Sequence, residues 1–324
     1  MGVSVKNLIV ALAMASVTQL ASAQGFPGKP IRIIVPIPPG STMDIIGRVL
    51  ATTLSKAMGQ QVVVDNRPGA SGMIAMTATA KAVPDGYTIA MVALGQLVQT
   101  PAVLYPNAPF DPVKDFAAIS LVATGPVVMA IHPSIPVNNV KELVNLARRR
   151  PGELNFGSNG VGTANHIVAE MFKLLTKTDI VHVPYKGNVE AINGLIVGEV
   201  SISFTGVPPV VGLTKAGKLR VLVTTGPRRL LIFPEVPTMA EVGIPDAETL
   251  FWYGAAAPGE TPKNVIAILN REIVKAMTLP EVRQVFSQQG LDPETNSPEQ
   301  FAQLIRDDYA RWSKIIRAAG IKFQ

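Results

Sequence analysis

An α/β protein of two domains, built on mostly parallel sheets, is what the sequence predicts, and three observations carry that reading. Short β-branched runs alternate with amphipathic helical patterns, which is the rhythm of βαβ units. The chain has 324 residues, about twice a common domain length. Hydrophobic residues make up 48% and charged residues only 16%, so real cores can form, and a disordered chain, a coiled coil or a collagen-like repeat is ruled out.

Taken in order, the strand runs fall at 31–35, 62–64, 87–92, 127–131, 180–183, 202–204 and 221–224. Between them, 44–58 reads as a helix with Ile45, Ile46, Val49, Leu50, Leu54 and Ala57 on one face. The segments 141–149, 164–175 and 189–197 follow the same period. From Pro262 onward the pattern is nearly all helical. Thr261-Pro262 reads as a cap followed by an N1 proline, and Ser297-Pro298-Glu299-Gln300 as a capping box. The helix opened there carries Phe301, Leu304, Ile305, Trp312, Ile315 and Ile316 on one stripe. No low-complexity linker or internal sequence repeat is visible.

The N-terminus points to a compartment. Residues 1–23 read as a secretory signal, with Lys6 as the sole charge, an apolar run from Leu8 to Val17 and Ala21-Ser22-Ala23 as the cleavage site. The run is about half of what spans a bilayer. Cleavage after Ala23 leaves a chain beginning at Gln24. With no cysteine, there is neither a disulfide, a thiolate metal site nor a lipid-acceptor residue. A freely soluble protein of a bacterial periplasm fits these features, and such an address argues against chemistry dependent on NAD or ATP. Net charge is +6, yet the longest basic run is Arg148-Arg149-Arg150, placed at a helix end. A nucleic-acid partner is therefore not expected.

Several catalytic motifs nearly match and fail for physical reasons. Gly212 to Lys218 has P-loop spacing, but Leu219 stands where a hydroxyl must ligate magnesium. Gly160-Val161-Gly162 lacks the third glycine of a dinucleotide fingerprint, having Asn165 there. Gly69-Ala70-Ser71-Gly72 resembles a nucleophile elbow, with Met73 in place of its second glycine. The three histidines, His132, His166 and His182, include no i,i+4 pair, so no metal site is expected; His182 reads as a hydrogen-bonded core residue. No cofactor is implied.

What remains is four loops that follow strands and lead into helices: 36–44, 66–72, 155–166 and 181–187. Each is rich in Gly, Pro, Ser or Asn, and open α/β sheets bind ligands at such junctions. Free amides and the helix dipole make the starts of the helices near Asp44 and Thr163 a place for an anion, with no basic side chain inside either loop. The expectation is a carboxylate between those two ends, with the Thr163 hydroxyl donating to it and Asp44 orienting the first loop instead of touching the anion.

Beyond the loops, a run of strings in register resembles one family. They are Phe26-Pro27-Gly28-Lys29-Pro30-Ile31-Arg32, the Pro-Pro-Gly loop to Asp44, Asn66-Arg67-Pro68-Gly69-Ala70 and Pro84-Asp85-Gly86-Tyr87-Thr88. The Gly157–His166 loop, His182-Val183-Pro184-Tyr185-Lys186-Gly187, Lys215-Ala216-Gly217-Lys218-Leu219-Arg220 and Pro234-Glu235-Val236-Pro237-Thr238 continue the series. Trp252-Tyr253-Gly254, Ala257-Pro258 and Ala318-Ala319-Gly320-Ile321 complete it. The chain resembles the solute-binding proteins of tripartite tricarboxylate transporters, the Bug-type periplasmic receptors.

That resemblance implies a type II periplasmic binding protein fold: two α/β domains with a ligand cleft between them and chain crossings near Thr124 and Glu248. Domain 1 would be discontinuous, 24–123 with 248–324, and domain 2 would be 124–247. Carried over residue by residue, Pro39, Gly40, Ser41, Thr42, Asp44, Ala70 and Ser71 would face the ligand from the first domain. Ser158, Asn159, Gly160, Thr163, His166, Tyr185 and Lys186 would do so from the second. Five positions depart from the family's pattern and bear on the ligand: Ser41 for a second glycine, a bulkier Met43, Met73 for asparagine, and Gly194 and Thr205 where aspartate is frequent. Thr205 would still reach the cleft.

The implied function is capture of a small carboxylate for membrane permease subunits of such a transporter, by a monomer without catalytic activity. An orphan receptor signalling to a membrane kinase, or a hydrolase using Ser158 or Tyr185-Lys186 with His166, are the competing readings.

Overall fold

The computed structural model describes residues 25–104 and 107–318. The expected signal segment, Gln24 and the closing stretch 319–324 lie outside these.

Strands β1 (Ile31–Val35), β2 (Val62–Asn66) and β3 (Thr88–Ala93) are parallel, with β1 between the other two. Helices α1 (Thr42–Met58) and α2 (Met73–Ala80) connect them. After β3 the chain turns directly into a π-helical segment, Leu94–Gln99, which runs on as α3 (Thr100–Leu104). Strand β4 (Phe116–Ile131) follows, and its sixteen residues are buried along most of their length. Such a run reads as continuously apolar because both faces are covered.

The second half of the sheet repeats the pattern. Helix α4 (Val140–Arg149), β5 (Asn155–Ser158), α5 (Ala164–Thr176), β6 (Val181–Pro184), α6 (Asn188–Ile196), β7 (Ile202–Gly206), α7 (Pro208–Lys215) and β8 (Arg220–Thr224) follow in turn. β5 is parallel to both β6 and β7. Strand β9 (Leu250–Pro258), α8 (Lys263–Thr278), α9 (Pro280–Gln288), the short β10 (Asp292–Pro293) and α10 (Pro298–Ala318) then return to the first half.

β4 joins the two halves. Its first part pairs antiparallel with β9 as far as Pro126, and from Val127 its partners are β7 and β8. Thr124 lies opposite Trp252 and Pro126 opposite Leu250. Of the two positions where the sequence places chain crossings, Thr124 lies within this paired stretch and Glu248 two residues before β9 begins.

The parallel strands and the amphipathic helices match their expected places to within a few residues. The run 127–131 proves to be only the second part of β4, and β9 was not visible beforehand because its Gly254-Ala255-Ala256-Ala257 core has weak strand preference. Ser297 opens α10 with the expected reciprocal bonds, Ser297 N to Gln300 Oε1 and Gln300 N to Ser297 Oγ. The start of α8 differs from expectation: Pro262 occupies the cap position itself, and the Thr261 hydroxyl donates to the Pro258 carbonyl.

Helix α10 clamps β9 in place. Phe301, Ile305, Trp312 and Ile316 are buried, Trp252 meets the Phe301 ring edge-on at 5.4 Å, and the Trp252 indole donates to Asp308 Oδ2 at 2.7 Å. Gly254 sits under that clamp. A Cβ there would collide with the Phe301 ring and lie 2.8 Å from the Ser120 carbonyl oxygen. Gly254→Ala should therefore cost about 1–3 kcal/mol through overpacking, read as a lower midpoint in urea unfolding.

Candidate functional site

Two helix starts face one another from the two halves of the sheet, and they are built alike. In the first, Pro36 to Pro39 stiffen the chain and Gly40 adopts φ +82°, which favours glycine. Ser41 is the cap residue of α1 with φ −77° and ψ 162°, but its hydroxyl makes no cap bond. It donates backwards to the Pro38 carbonyl at 2.7 Å. In the second, Gly162 adopts φ +72° and Thr163 has φ −77° and ψ 161°. Its hydroxyl again makes no cap bond and donates to the carbonyl three residues back, Gly160, at 2.7 Å.

The third residue of each helix closes the loop. Asp44 accepts from the Gly40 amide at 2.9 Å, and His166 Nδ1 accepts from the Gly162 amide at 3.1 Å. A cap side chain ordinarily satisfies an amide of the first helical turn. Here those side chains bond elsewhere and leave the first-turn amides uncapped.

Two more helices begin at the same place. The π-helical segment after β3 has Ala93 at its cap position, and α6 has Gly187; neither has a side-chain cap. Gly95 allows close approach between the segments, since a Cβ there would lie 3.0 Å from that of Ala164. Together these starts enclose a cavity of about 50 Å³ lined by Ile37, Ser41, Thr42, Met43, Ala93, Leu94, Gly95, Gln96, Asn159, Ala164, Asn165, Asn188, Gly206, Phe251 and Tyr253. None of these side chains carries a charge at neutral pH. Tyr253 is buried, which pushes its phenol up, and it bonds to Thr42.

Electrostatics behind the wall keep it neutral. Burial works against ionisation of Asp44, but hydrogen bonds from Arg48, the Gly40 amide and Asn66 outweigh it and hold the carboxyl below its ordinary range. Arg48 Nε and Asn66 Nδ2 each donate to it at 2.9 Å. On the other side, burial holds both His166 and His182 down to about 4, with His166 also facing Lys173 and His182 facing His166 and Lys173. Their rings stack at 4.1 Å, and Phe156 stacks on His182 at 4.7 Å. His182 Nε2 shares a hydrogen bond of 2.7 Å with Ser158 Oγ, in keeping with its reading as a hydrogen-bonded histidine.

Other bonds cross between the halves. Ser71 Oγ donates to the Val161 carbonyl at 3.2 Å and Thr100 Oγ1 to the Gly162 carbonyl at 3.0 Å. Ala70 and Ser71 reach this arrangement with φ of 47° and 54°, at a cost of order 1 kcal/mol each for residues with a Cβ.

Of the fifteen residues singled out from the sequence, Ser41, Thr42 and Asn159 line the cavity. Gly40, Asp44, Gly160, Thr163 and His166 shape the loops behind it, and Ser71 ties the halves together. The Thr163 hydroxyl proton goes to Gly160, so it is a loop latch and not the free donor expected. Ser158 bonds to His182. Thr205 is buried behind the wall and donates to Asn188 Oδ1 at 3.1 Å, which also accepts from Asn165 Nδ2 at 3.2 Å. Pro39, Ala70 and Lys186 are exposed. The Tyr185 ring packs on Gly157, and its hydroxyl abuts Gly194, leaving no room for a side chain at 194.

Sequence reasoning missed Leu94, Gly95, Gln96, Asn165, Asn188 and Phe251. The first three follow β3 without any Gly/Pro/Ser loop, so no turn signal marked them. Asn165 and Asn188 stand inside or beside quoted loops and could have been found by asking which residues occupy the first turn of each helix.

The histidine pair yields a pH dependence. Both rings stay neutral in the folded protein down to about pH 4 but take up protons below about 6.5 once unfolded. The unfolded state then binds more protons, so stability falls as pH drops from 6.5 towards 4. Chemical unfolding should show a loss of about 2–4 kcal/mol between pH 7 and 5, above the carboxylate range. A His166→Gln/His182→Gln double variant should flatten that slope.

Comparison with known proteins places this geometry. Residues 46–321 match the model of the tripartite tricarboxylate transporter family receptor. Protein BugT of Bordetella pertussis is 36% identical over 313 residues, covering 97% of this chain and 96% of BugT. Among solved structures, R. palustris Rpa4515 with adipate superposes with a TM-score of 0.88 at 32% identity, covering 92% of this chain and 99% of that one. MatC from Rhodopseudomonas palustris with bound malate does so with a TM-score of 0.85 at 27% identity, covering 90% and 100%. This is a family of receptors, not of enzymes, and the chain belongs to it: it is a solute-binding receptor of the tripartite tricarboxylate transporter family, with the periplasmic binding protein fold.

Proposed function

We propose that this receptor captures a small dicarboxylate between two lobes, 24–123 with 248–324 and 124–247, and passes it to membrane permease subunits of a tripartite tricarboxylate-type transporter. One observation carries the reading: four uncapped helix N-termini, two from each half, converge on one cavity whose wall holds no charged side chain. Each terminus presents roughly half a positive charge and unpaired amides. Four of them sum to about two charges, which matches two carboxylates. The ligands of Rpa4515 and MatC, adipate and malate, are both dicarboxylic acids and agree with this count.

Ser41, Thr42, Asn159, Gln96, Asn165 and Asn188 would then face the ligand. Asp44, Thr163 and His166 would fix the loops. The cavity, about 50 Å³, is far below the several hundred Å³ usual for ligand pockets, so entry requires the lobes to part about the β4/β9 ladder. Export through the 1–23 segment, with the mature monomer in the periplasm, completes the proposal.

Asn165→Asp tests it. The change is nearly isosteric and an acidic residue suits the first turn of a helix, so the fold should hold. A carboxylate placed on the cavity wall would repel the ligand, weakening dicarboxylate binding by about 2–4 kcal/mol. Calorimetry against succinate, malate, glutarate and adipate reads the outcome, and unchanged affinity for the bound acid would remove the helix-terminus account.

A further inference from the structure

We infer that the site selects acids that carry a hydroxyl on the carbon chain, and that Asn159 is the residue that reads it. This rests on the dicarboxylate reading above and narrows it. Asn159 lines the cavity, and its Oδ1 is buried with no hydrogen-bond partner. Among the described residues, other buried side-chain atoms in that condition belong to Gln99, Tyr185, Thr214 and Arg220, none of which lines this cavity.

Apart from Gln96, the other polar side chains of the wall are bonded within the protein. Ser41 donates to Pro38, Thr42 bonds to Tyr253, and Asn165 donates to Asn188, whose oxygen also takes the Thr205 proton. The helix amides are donors and suit carboxylate oxygens. Asn159 Oδ1 is an acceptor, and a carboxylate can only accept, so an unsubstituted dicarboxylate cannot satisfy it. Solvent can supply the donor while the cleft is open. A ligand that expels this solvent must bring a donor of its own, and a site built around one discriminates against analogues that lack it. An ammonium group would also donate, but the wall offers no carboxylate to hold its charge; a hydroxyl needs none.

Matched pairs test this: L-malate against succinate, and 2-hydroxyglutarate against glutarate, by calorimetry on the full mature chain. In at least one pair the hydroxylated acid should bind about tenfold tighter or more. In Asn159→Leu that advantage should shrink to about twofold, whatever change in affinity is common to both acids. An unchanged urea midpoint reports that the variant is folded. Equal affinity within both pairs, a preference for the unhydroxylated acid, or an undiminished preference in Asn159→Leu would each overturn the assignment of Asn159 and leave the dicarboxylate reading standing. Failure of every acid in the panel to bind would instead remove that reading, and this inference with it.

Discussion

Withholding a side-chain cap from a helix costs about 1 kcal/mol, and this protein does so four times around one cavity. The rest of the site follows from that constraint. Cap hydroxyls at Ser41 and Thr163 are present, yet each is turned back on the carbonyl three residues earlier. The hydroxyls thereby rigidify the loops without consuming the amides. Glycines at 40 and 162 supply the left-handed step that lets the chain enter the helix from the side, and the residue at the third helical position ties the glycine amide down. A loop held in this way keeps its amides aimed before any ligand arrives, which lowers the ordering cost of binding.

The two copies of this device differ in one chemically important respect. Asp44 is an ionised carboxylate just behind a wall of uncapped helix amides, and His166 is a neutral ring. Arg48, itself half-exposed, and Asn66 absorb the charge of Asp44, so little of its field reaches the cavity. His166 needs no counter-ion because burial, with Lys173 nearby, keeps it uncharged. Both arrangements keep the local field that of the helix ends. A wall of this kind, though neutral, would favour an anion through the helix ends alone.

Much of this was legible in the chain. The strand and helix rhythm, the capping box at Ser297 and the loops at 36–44 and 155–166 all carry local chemistry that survives into the fold. The equivalence of the two helix starts was not legible. Asp and His fill the same role at positions 44 and 166, and similarity of residue type cannot reveal a shared hydrogen bond. The third helix start is hidden for another reason: at Ala93-Leu94-Gly95 a buried strand becomes a helix with no turn residues between them. β9 was masked by its Gly-Ala core, whose place is set by Trp252, Phe301 and Asp308 far away in sequence. Tertiary packing, not propensity, decides that strand.

The strand ladder and the cavity are connected through geometry. β4 changes partner between Pro126 and Val127, beside the entry to β9, so little backbone other than these strands must flex for the halves to move. On the cavity side the halves pack closely, as at Gly95 against Ala164, and share single hydrogen bonds such as Ser71 to the Val161 carbonyl and Thr100 to the Gly162 carbonyl. Each is worth about 1 kcal/mol, and part of that is spent on the left-handed conformations of Ala70 and Ser71. Contacts this weak are easily made and broken, whereas the buried pairing of β4 with β9 is not. Both carbonyls belong to the loop that opens α5. A closing motion of the kind proposed would act on the backbone whose amides would meet the ligand, making binding and closure parts of one equilibrium.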